Sequence, residues 1–370
     1  MATLASLFGQ EPAVGALRKA LAADCLPGTY LFLGAPGVGK GALARAFAQA
    51  ATCLDPRRDP FDACGVCDSC HRAEAGTQPE IVTILPAGEQ TQIWQFWERD
   101  NKPGSGALSH SLNYAPTIGR RRVYIIERAD TLTESAANSL LKVLEEPPPY
   151  VLFVLLAPQA ARVLPTIVSR SQILRLRALP ADVLAAYLRD TKGIEPGRAA
   201  MLAAYAEGRI GQAMQFGQNP AVGEEIHRVL DFAETLPNAP RVRALKLAEQ
   251  MRKLAAQTKA LVGEEPTAPT EGEEGETGTA KEKTNRRQLA AVFDLLVAFY
   301  RDLLTLSVRS GGAGSLVNQE RATQLARLAQ HGNPQRWTAC LDALLQARRR
   351  LDANANIALV TEVLAMTLVA

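Results

Sequence analysis

The chain has 370 residues, 47% of them hydrophobic and 21% charged, with a mean hydropathy of -0.05. At about 150 residues per domain this predicts two or three domains and excludes a fibrous or largely disordered chain. The formal net charge is +3, but Gly263 to Lys283 hold seven Glu and two Lys, a net of -5, which leaves +8 on the rest; that balance suits a polyanionic partner and equally suits plain solubility.

Met1 to Ala20 carries Gln10, Glu11, Arg18 and Lys19 among its apolar residues. It therefore lacks the continuous apolar core of a signal peptide. No apolar run reaches the ~20 residues of a membrane span. A cytoplasmic location and no membrane partner are expected.

Strand-like runs at Thr29 to Leu33, Ile81 to Leu85, Val123 to Ile126, Val151 to Ala157 and Ile173 to Arg177 alternate with helical patterns. Such alternation predicts an α/β domain with a parallel sheet flanked by helices, over about residues 1–178. From Pro180 the strand signals stop. Ala181 to Asp190, Arg198 to Glu207 and Val242 to Leu261 are rich in Ala and Leu at helical spacing, which predicts an all-α lid over 179–220 and an all-α domain over 221–370. Within the latter, Gly263 to Asn285 has no Leu, Ile, Val or aromatic residue, so a disordered acidic loop is expected there. After it, Val292, Phe293, Leu296, Phe299, Leu303 and Leu306 share one helical face, and a last helix covers about Ile357 to Leu368.

Gly34-Ala35-Pro36-Gly37-Val38-Gly39-Lys40 stands between the first strand and a helix. This is the context of a phosphate cradle: Gly34, Gly37 and Gly39 let backbone N–H groups converge on phosphate oxygens, and Lys40 reaches the β and γ phosphates of ATP or ADP. The next residue is Gly41, where the motif wants a hydroxyl for Mg²⁺, so metal placement and hydrolysis are in doubt. The strand Val123 to Ile126 should end in metal-holding acids, and it is followed by Glu127-Arg128-Ala129-Asp130. Glu127 is a degenerate partner for the nucleotide site, and Arg128 puts a cation where a base is usual. Both also read as strand-end surface charges.

Four of the six cysteines fall as Cys53, Cys64, Cys67 and Cys70. Two overlapping Cys-x-x-Cys spacings turn thiolates inward, and Cys53 completes a tetrahedron for a structural Zn²⁺, in a module of about residues 53–70. An iron–sulfur cluster is the rival. His71 reads as a surface residue, and Cys25 and Cys340 as buried small residues.

These pieces together resemble the bacterial clamp loader of DNA polymerase III, within the AAA+ ATPases. The resemblance rests on Phe8-Gly9-Gln10, the phosphate loop with the four-cysteine insertion after it, Ala137 to Pro148, and Leu164-Pro165-Thr166-Ile167-Val168-Ser169-Arg170. It implies that Arg170 is an arginine finger acting in trans on a neighbouring subunit's ATP. The γ-phosphate sensor of the motor subunits matches Ala157 and Pro158 here, and the lid arginine matches Gly211. Every departure falls on groups acting on the chain's own nucleotide. That pattern resembles the delta-prime branch, a non-hydrolysing and relatively rigid member of a five-membered ring with motor subunits and a delta subunit. The ring loads the sliding clamp on primer-template DNA. The C-terminal helices, including Phe299 to Leu304 and Asn354 to Asn356, would form the oligomerising collar. Two rivals remain: a motor subunit hydrolysing ATP through Lys40 and Glu127, and a zinc-dependent DNA-binding module.

Overall fold

A computed structural model describes residues 3–98, 105–262, 277–308 and 316–369. They form two compact units, one of residues up to Leu179 with Arg209–Gly211, the other of the remainder from Pro180 on.

In the first unit, helix α1 (Glu11–Ala22) leads into strand β1 (Thr29–Leu33) and helix α2 (Lys40–Thr52). A short hairpin, β2 (Arg57–Arg58) and β3 (Phe61–Asp62), precedes α3 (Asp68–Glu74) and β4 (Ile81–Ile84). Then come β5 (Arg122–Ile126), α4 (Glu134–Glu145), β6 (Val151–Ala157), α5 (Pro165–Val168) and β7 (Gln172–Arg175). The five longer strands form one parallel sheet in the order β4-β5-β6-β1-β7, with Thr29 opposite Phe153 and Tyr30 opposite Gln172. The expected strands are all present. The apolar sequences of β1, β5 and β6 follow from burial on both faces, while the edge strands β4 and β7 are only partly buried. Tyr30 and Phe32 face one core with Val14, Leu17, Leu43 and Phe47 of α1 and α2. Leu31 and Leu33 face the other, with Ala136, Leu140 and Leu144 of α4 and Ile167 of α5. Parallel strands force all the βα turns to one edge of the sheet, where ligands of such folds sit.

The second unit is all-α. Its helices are α6 (Ala181–Lys192), α7 (Pro196–Tyr205), α8 (Ile210–Gln218), α9 (Ala221–Thr235), α10 (Ala244–Gln257), α11 (Thr277–Val308), α12 (Ala322–Ala329), α13 (Pro334–Asp352) and α14 (Ile357–Leu368). α11 packs on α13, and α14 on α10 and α13, around Phe299, Tyr300 and Trp337. The Asp302 carboxylate is buried and satisfied, accepting from the backbone N–H groups of Val317 and Asn318 and from Asn318 Nδ2 at 2.7–3.1 Å. Asn354 takes a left-handed φ of 61° after α13, and the Asn356 side chain caps α14 by accepting from Leu359 N. No helix of the described residues is long and apolar enough to cross a membrane.

Two expectations are corrected. The acidic loop expected over 263–285 ends early: its stretch 263–276 lies outside the described residues, and α11 already begins at Thr277. The helix-favouring residues Ala280 to Lys283 and an ion pair of Glu282 with Arg286 one turn on support that start. Cys25 is exposed rather than buried, because it follows the end of α1; Cys340 is buried as expected.

Candidate nucleotide site, arginine and cysteine cluster

β1 delivers the glycine loop to the sheet edge, and Gly34 N–H donates to Ala157 O at 3.2 Å, joining the loop to the end of β6. Gly37 and Gly39 take φ values of +82° and +103°, a region that side chains with a Cβ rarely adopt. Between them Val38 is buried and anchors the loop in the core. Gln10 ties the loop to β7: its Nε2 donates to Val38 O at 3.5 Å and to Arg177 O at 2.8 Å, and its Oε1 accepts from Arg177 N. Gly9 beside it, at φ +76°, has Leu179 packed where a Cβ would stand. The Phe8-Gly9-Gln10 segment is thus a strut under the phosphate loop.

Lys40 Nζ donates to Gly34 O at 2.6 Å and to Ala35 O at 3.0 Å. Burial lowers the Lys40 pKa below the ordinary lysine range, against the opposing pull of Glu127 and Asp130. Burial likewise raises Glu127 above the usual carboxylate range, against Arg45 and Lys40. Burial thus disfavours the charged form of both groups, and the anionic oxygens of a phosphate would favour the charged form of the lysine. The Asp130 Oδ1 atom is buried without a hydrogen-bond partner among the described residues. A Cβ on Gly41 would stand 3.2 Å from Glu127 Oε1 and 3.3 Å from Arg45 Nη1. Gly211 N–H donates to Gly37 O at 2.8 Å, so Gly211 meets the loop through its backbone. Gly34, Gly37, Gly39, Lys40 and Glu127 lie together at this edge of the sheet. Arg128 is exposed, at φ +52°. Sequence reasoning missed Arg45, an exposed arginine four residues after Gly41 in α2 that the sequence alone does not separate from an ordinary surface charge.

Arg170 follows α5. Its guanidinium pairs with Glu145 at the end of α4, and Nη1 donates to Thr166 O at 3.0 Å and to Ser169 Oγ at 3.3 Å. None of these partners belongs to the phosphate loop, and the side chain is 33% exposed.

The four cysteine sulfurs of Cys53, Cys64, Cys67 and Cys70 lie within 4.8 Å of one another. Cys53 to Cys67 and Cys64 to Cys70 are each 3.9 Å apart, and Cys53 to Cys70 3.6 Å. Four thiolates at the usual ~2.3 Å around a tetrahedral ion would be about 3.8 Å apart. Backbone N–H groups of Cys64, Val66 and Cys67 point at Cys53 Sγ or Cys64 Sγ at 3.3–3.5 Å, as donors to thiolates do. Burial raises the Cys53 and Cys70 pKa. Burial also acts on Cys67, but hydrogen bonds from the backbone of Leu54 and Cys70 outweigh it and hold that thiol down at about 6. The donor set fits a soft, thiolate-seeking metal ion, with all four positions filled by protein. His71 is exposed and stands outside the cluster.

A family profile described as "DNA polymerase III, delta subunit" matches residues 9–180. The delta' subunit of DNA polymerase III from Bacillus subtilis is 29% identical over 344 residues, 92% of this chain and 90% of that protein. The chain belongs to the delta/delta-prime clamp-loader subunits of bacterial DNA polymerase III, in the AAA+ family. The tau subunit of Escherichia coli is 32% identical over 217 residues, 57% of this clamp-loader subunit but only 32% of tau. A gamma-subunit-related protein from Thermotoga maritima superposes with a TM-score of 0.44 at 16% identity, covering 95% of this subunit and 96% of that chain. The subunit thus works in DNA replication, as part of the DNA polymerase III holoenzyme.

Proposed function

We propose that this subunit does not hydrolyse ATP itself and instead activates a neighbouring motor subunit through Arg170. The observation that carries the reading is the Arg170 environment: every hydrogen-bond partner lies in or beside α4 and α5, and the guanidinium remains a third exposed. An exposed ion pair of this kind contributes little stability, about 0–1 kcal/mol, so it is readily exchanged for the phosphate oxygens of another chain's nucleotide. There Arg170 would neutralise charge developing on the transferred phosphoryl group.

The chain's own loop, Gly34 to Lys40, is then a vestigial or regulatory site for ATP or ADP. When bound, nucleotide would be held by the loop amides and Lys40, and Glu127 would stand beside it without a base at Arg128. The cysteines hold a structural Zn²⁺, and the all-α unit divides into a lid to about residue 220 and an oligomerising collar to 370. The partners are motor subunits and a delta subunit in a five-membered ring, the sliding clamp and primer-template DNA, in the cytoplasm. The +8 balance outside the acidic stretch supports a salt-dependent attraction to DNA phosphates.

The test is DNA- and clamp-stimulated ATP turnover of the reconstituted loader. Arg170→Ala is expected to lower turnover at the adjacent site by about 10³ to 10⁵ with assembly retained, and Lys40→Ala to leave turnover near wild type. Equal slowing by Lys40→Ala would make the chain a motor. Loss of assembly with Arg170→Ala would make that arginine structural.

A further inference from the structure

In a phosphate loop of this type, the residue after the lysine supplies a hydroxyl to Mg²⁺, and an acid at the end of a neighbouring strand faces it. Here the hydroxyl position is Gly41, and two charged groups already stand close to where its side chain would be: Glu127 Oε1 lies 3.2 Å from a Cβ built there, and Nη1 of the exposed Arg45 lies 3.3 Å from it. The cause is helical geometry. Arg45 stands one turn beyond Gly41 in α2, and side chains on a helix lean toward its N-terminus, so the guanidinium is laid back over the glycine. An Arg this close could not be accommodated beside a Ser or Thr without shifting. Mg²⁺ demands near-octahedral oxygen ligands at about 2.0–2.1 Å. The chain offers Glu127 and Asp130 but no hydroxyl at position 41, and a permanent cation, Arg45, stands beside the Glu127 carboxylate and disfavours a second cation there.

We propose that Arg45 replaces Mg²⁺ at this loop, so that the site takes the polyphosphate of a nucleoside di- or triphosphate free of divalent metal. The inference rests on the reading of Gly34 to Lys40 as a nucleotide site. Lys40 rests on the Gly34 and Ala35 carbonyls and Arg45 stands beside Glu127. On nucleotide binding, both cations turn to phosphate oxygens, Lys40 as a point charge and Arg45 as a planar fork. Charge on the phosphates is neutralised, but nothing orients or activates a water, so the nucleotide is held without being cut.

The experiment is an anisotropy titration of the full chain with N-methylanthraniloyl-ATP, in magnesium buffer and in buffer stripped of divalent ions by resin before the protein is added. Adding no chelator keeps the cysteine cluster intact. Wild type is expected to bind with affinities within about threefold in the two buffers, whereas Arg45→Ala loses about tenfold in the metal-free one, the scale of a charge-assisted hydrogen bond. The pair Gly41→Ser with Arg45→Ala should bind well only with magnesium, and Lys40→Ala should lose binding in both buffers. Circular dichroism checks that each variant is folded. Wild-type binding that needs magnesium, or Arg45→Ala with unchanged affinity, overturns the role of Arg45 and leaves the nucleotide site standing. No binding by wild type in either buffer overturns both.

Discussion

Tyr30 shows how one side chain records the burial of an interior strand, β1. It is 3% exposed, packs edge-on against Phe47, and its hydroxyl has no hydrogen-bond partner among the described residues. An unpaired buried hydroxyl costs about 1–3 kcal/mol, so Tyr30→Phe is expected to raise stability by about 1 kcal/mol, read as a higher urea midpoint. Burial, with a smaller contribution from Cys25 and against Arg121, pushes the Tyr30 pKa up to about 12. The folded state therefore holds the proton more tightly than the unfolded one. Its contribution is intact below the unfolded value of about 10 and is lost as pH climbs from there to about 12. The phenylalanine variant should lack that part of the alkaline fall, and equal slopes for the two proteins between those pH values would refute the assignment. Arg45 is the opposite case for legibility: in the sequence an arginine on a helix reads as a solvated surface charge, and only the coordinates place it over Gly41.

At the scale of elements, β1, β5 and β6 were legible because each is buried on both faces and so reads as a nearly unbroken apolar run, and the edge strands β4 and β7, only partly buried, through their short runs of β-branched and leucine residues. The β2–β3 hairpin was not, since strands of two residues have no periodicity to detect. The start of α11 was missed for a different reason: the composition of 263–285 is uniformly polar, while the Glu282–Arg286 pair supports the helix locally. The cysteine cluster was legible in full from its spacing. A metal ion held there, zinc in the proposed reading, would close the segment from Cys53 to Cys70 onto α2 and α3. Removal of the metal, or Cys70→Ser, is expected to cost about 3–5 kcal/mol, which at ~2–4 °C per kcal/mol is roughly a 10 °C fall in Tm. Scanning calorimetry with elemental analysis checks this. A metal-free, fully reduced chain melting at the same temperature would show that the cluster does not bear on the fold.

For the whole molecule, the hidden part of the sequence is its assembly surface. In α14, Val360, Leu364, Ala365 and Leu368 are buried, whereas Leu359, Val363 and Met366 are 62%, 46% and 56% exposed along one stripe. Both sides of this helix are apolar, so periodicity alone does not tell an inward face from one meant for a neighbour. If the proposed collar uses that stripe, Val363→Glu with Met366→Glu should weaken ring assembly in size-exclusion of the reconstituted loader. Stability of the isolated chain should change by no more than about 0.5 kcal/mol, as for surface positions generally. Unchanged assembly would move the collar contact elsewhere. The cysteine hairpin carries a last consequence, for the order in which the chain is made. Asp62 of β3 accepts from the backbone N–H groups of Leu4 and Ala5 and from Arg18 of α1, at 2.8–3.1 Å. Leu4 and Ala5 thus find their partner only after some sixty further residues have been made. During synthesis this turn waits for its clasp, and a nascent chain stalled before Asp62 should leave it more open to proteolysis than one stalled well beyond.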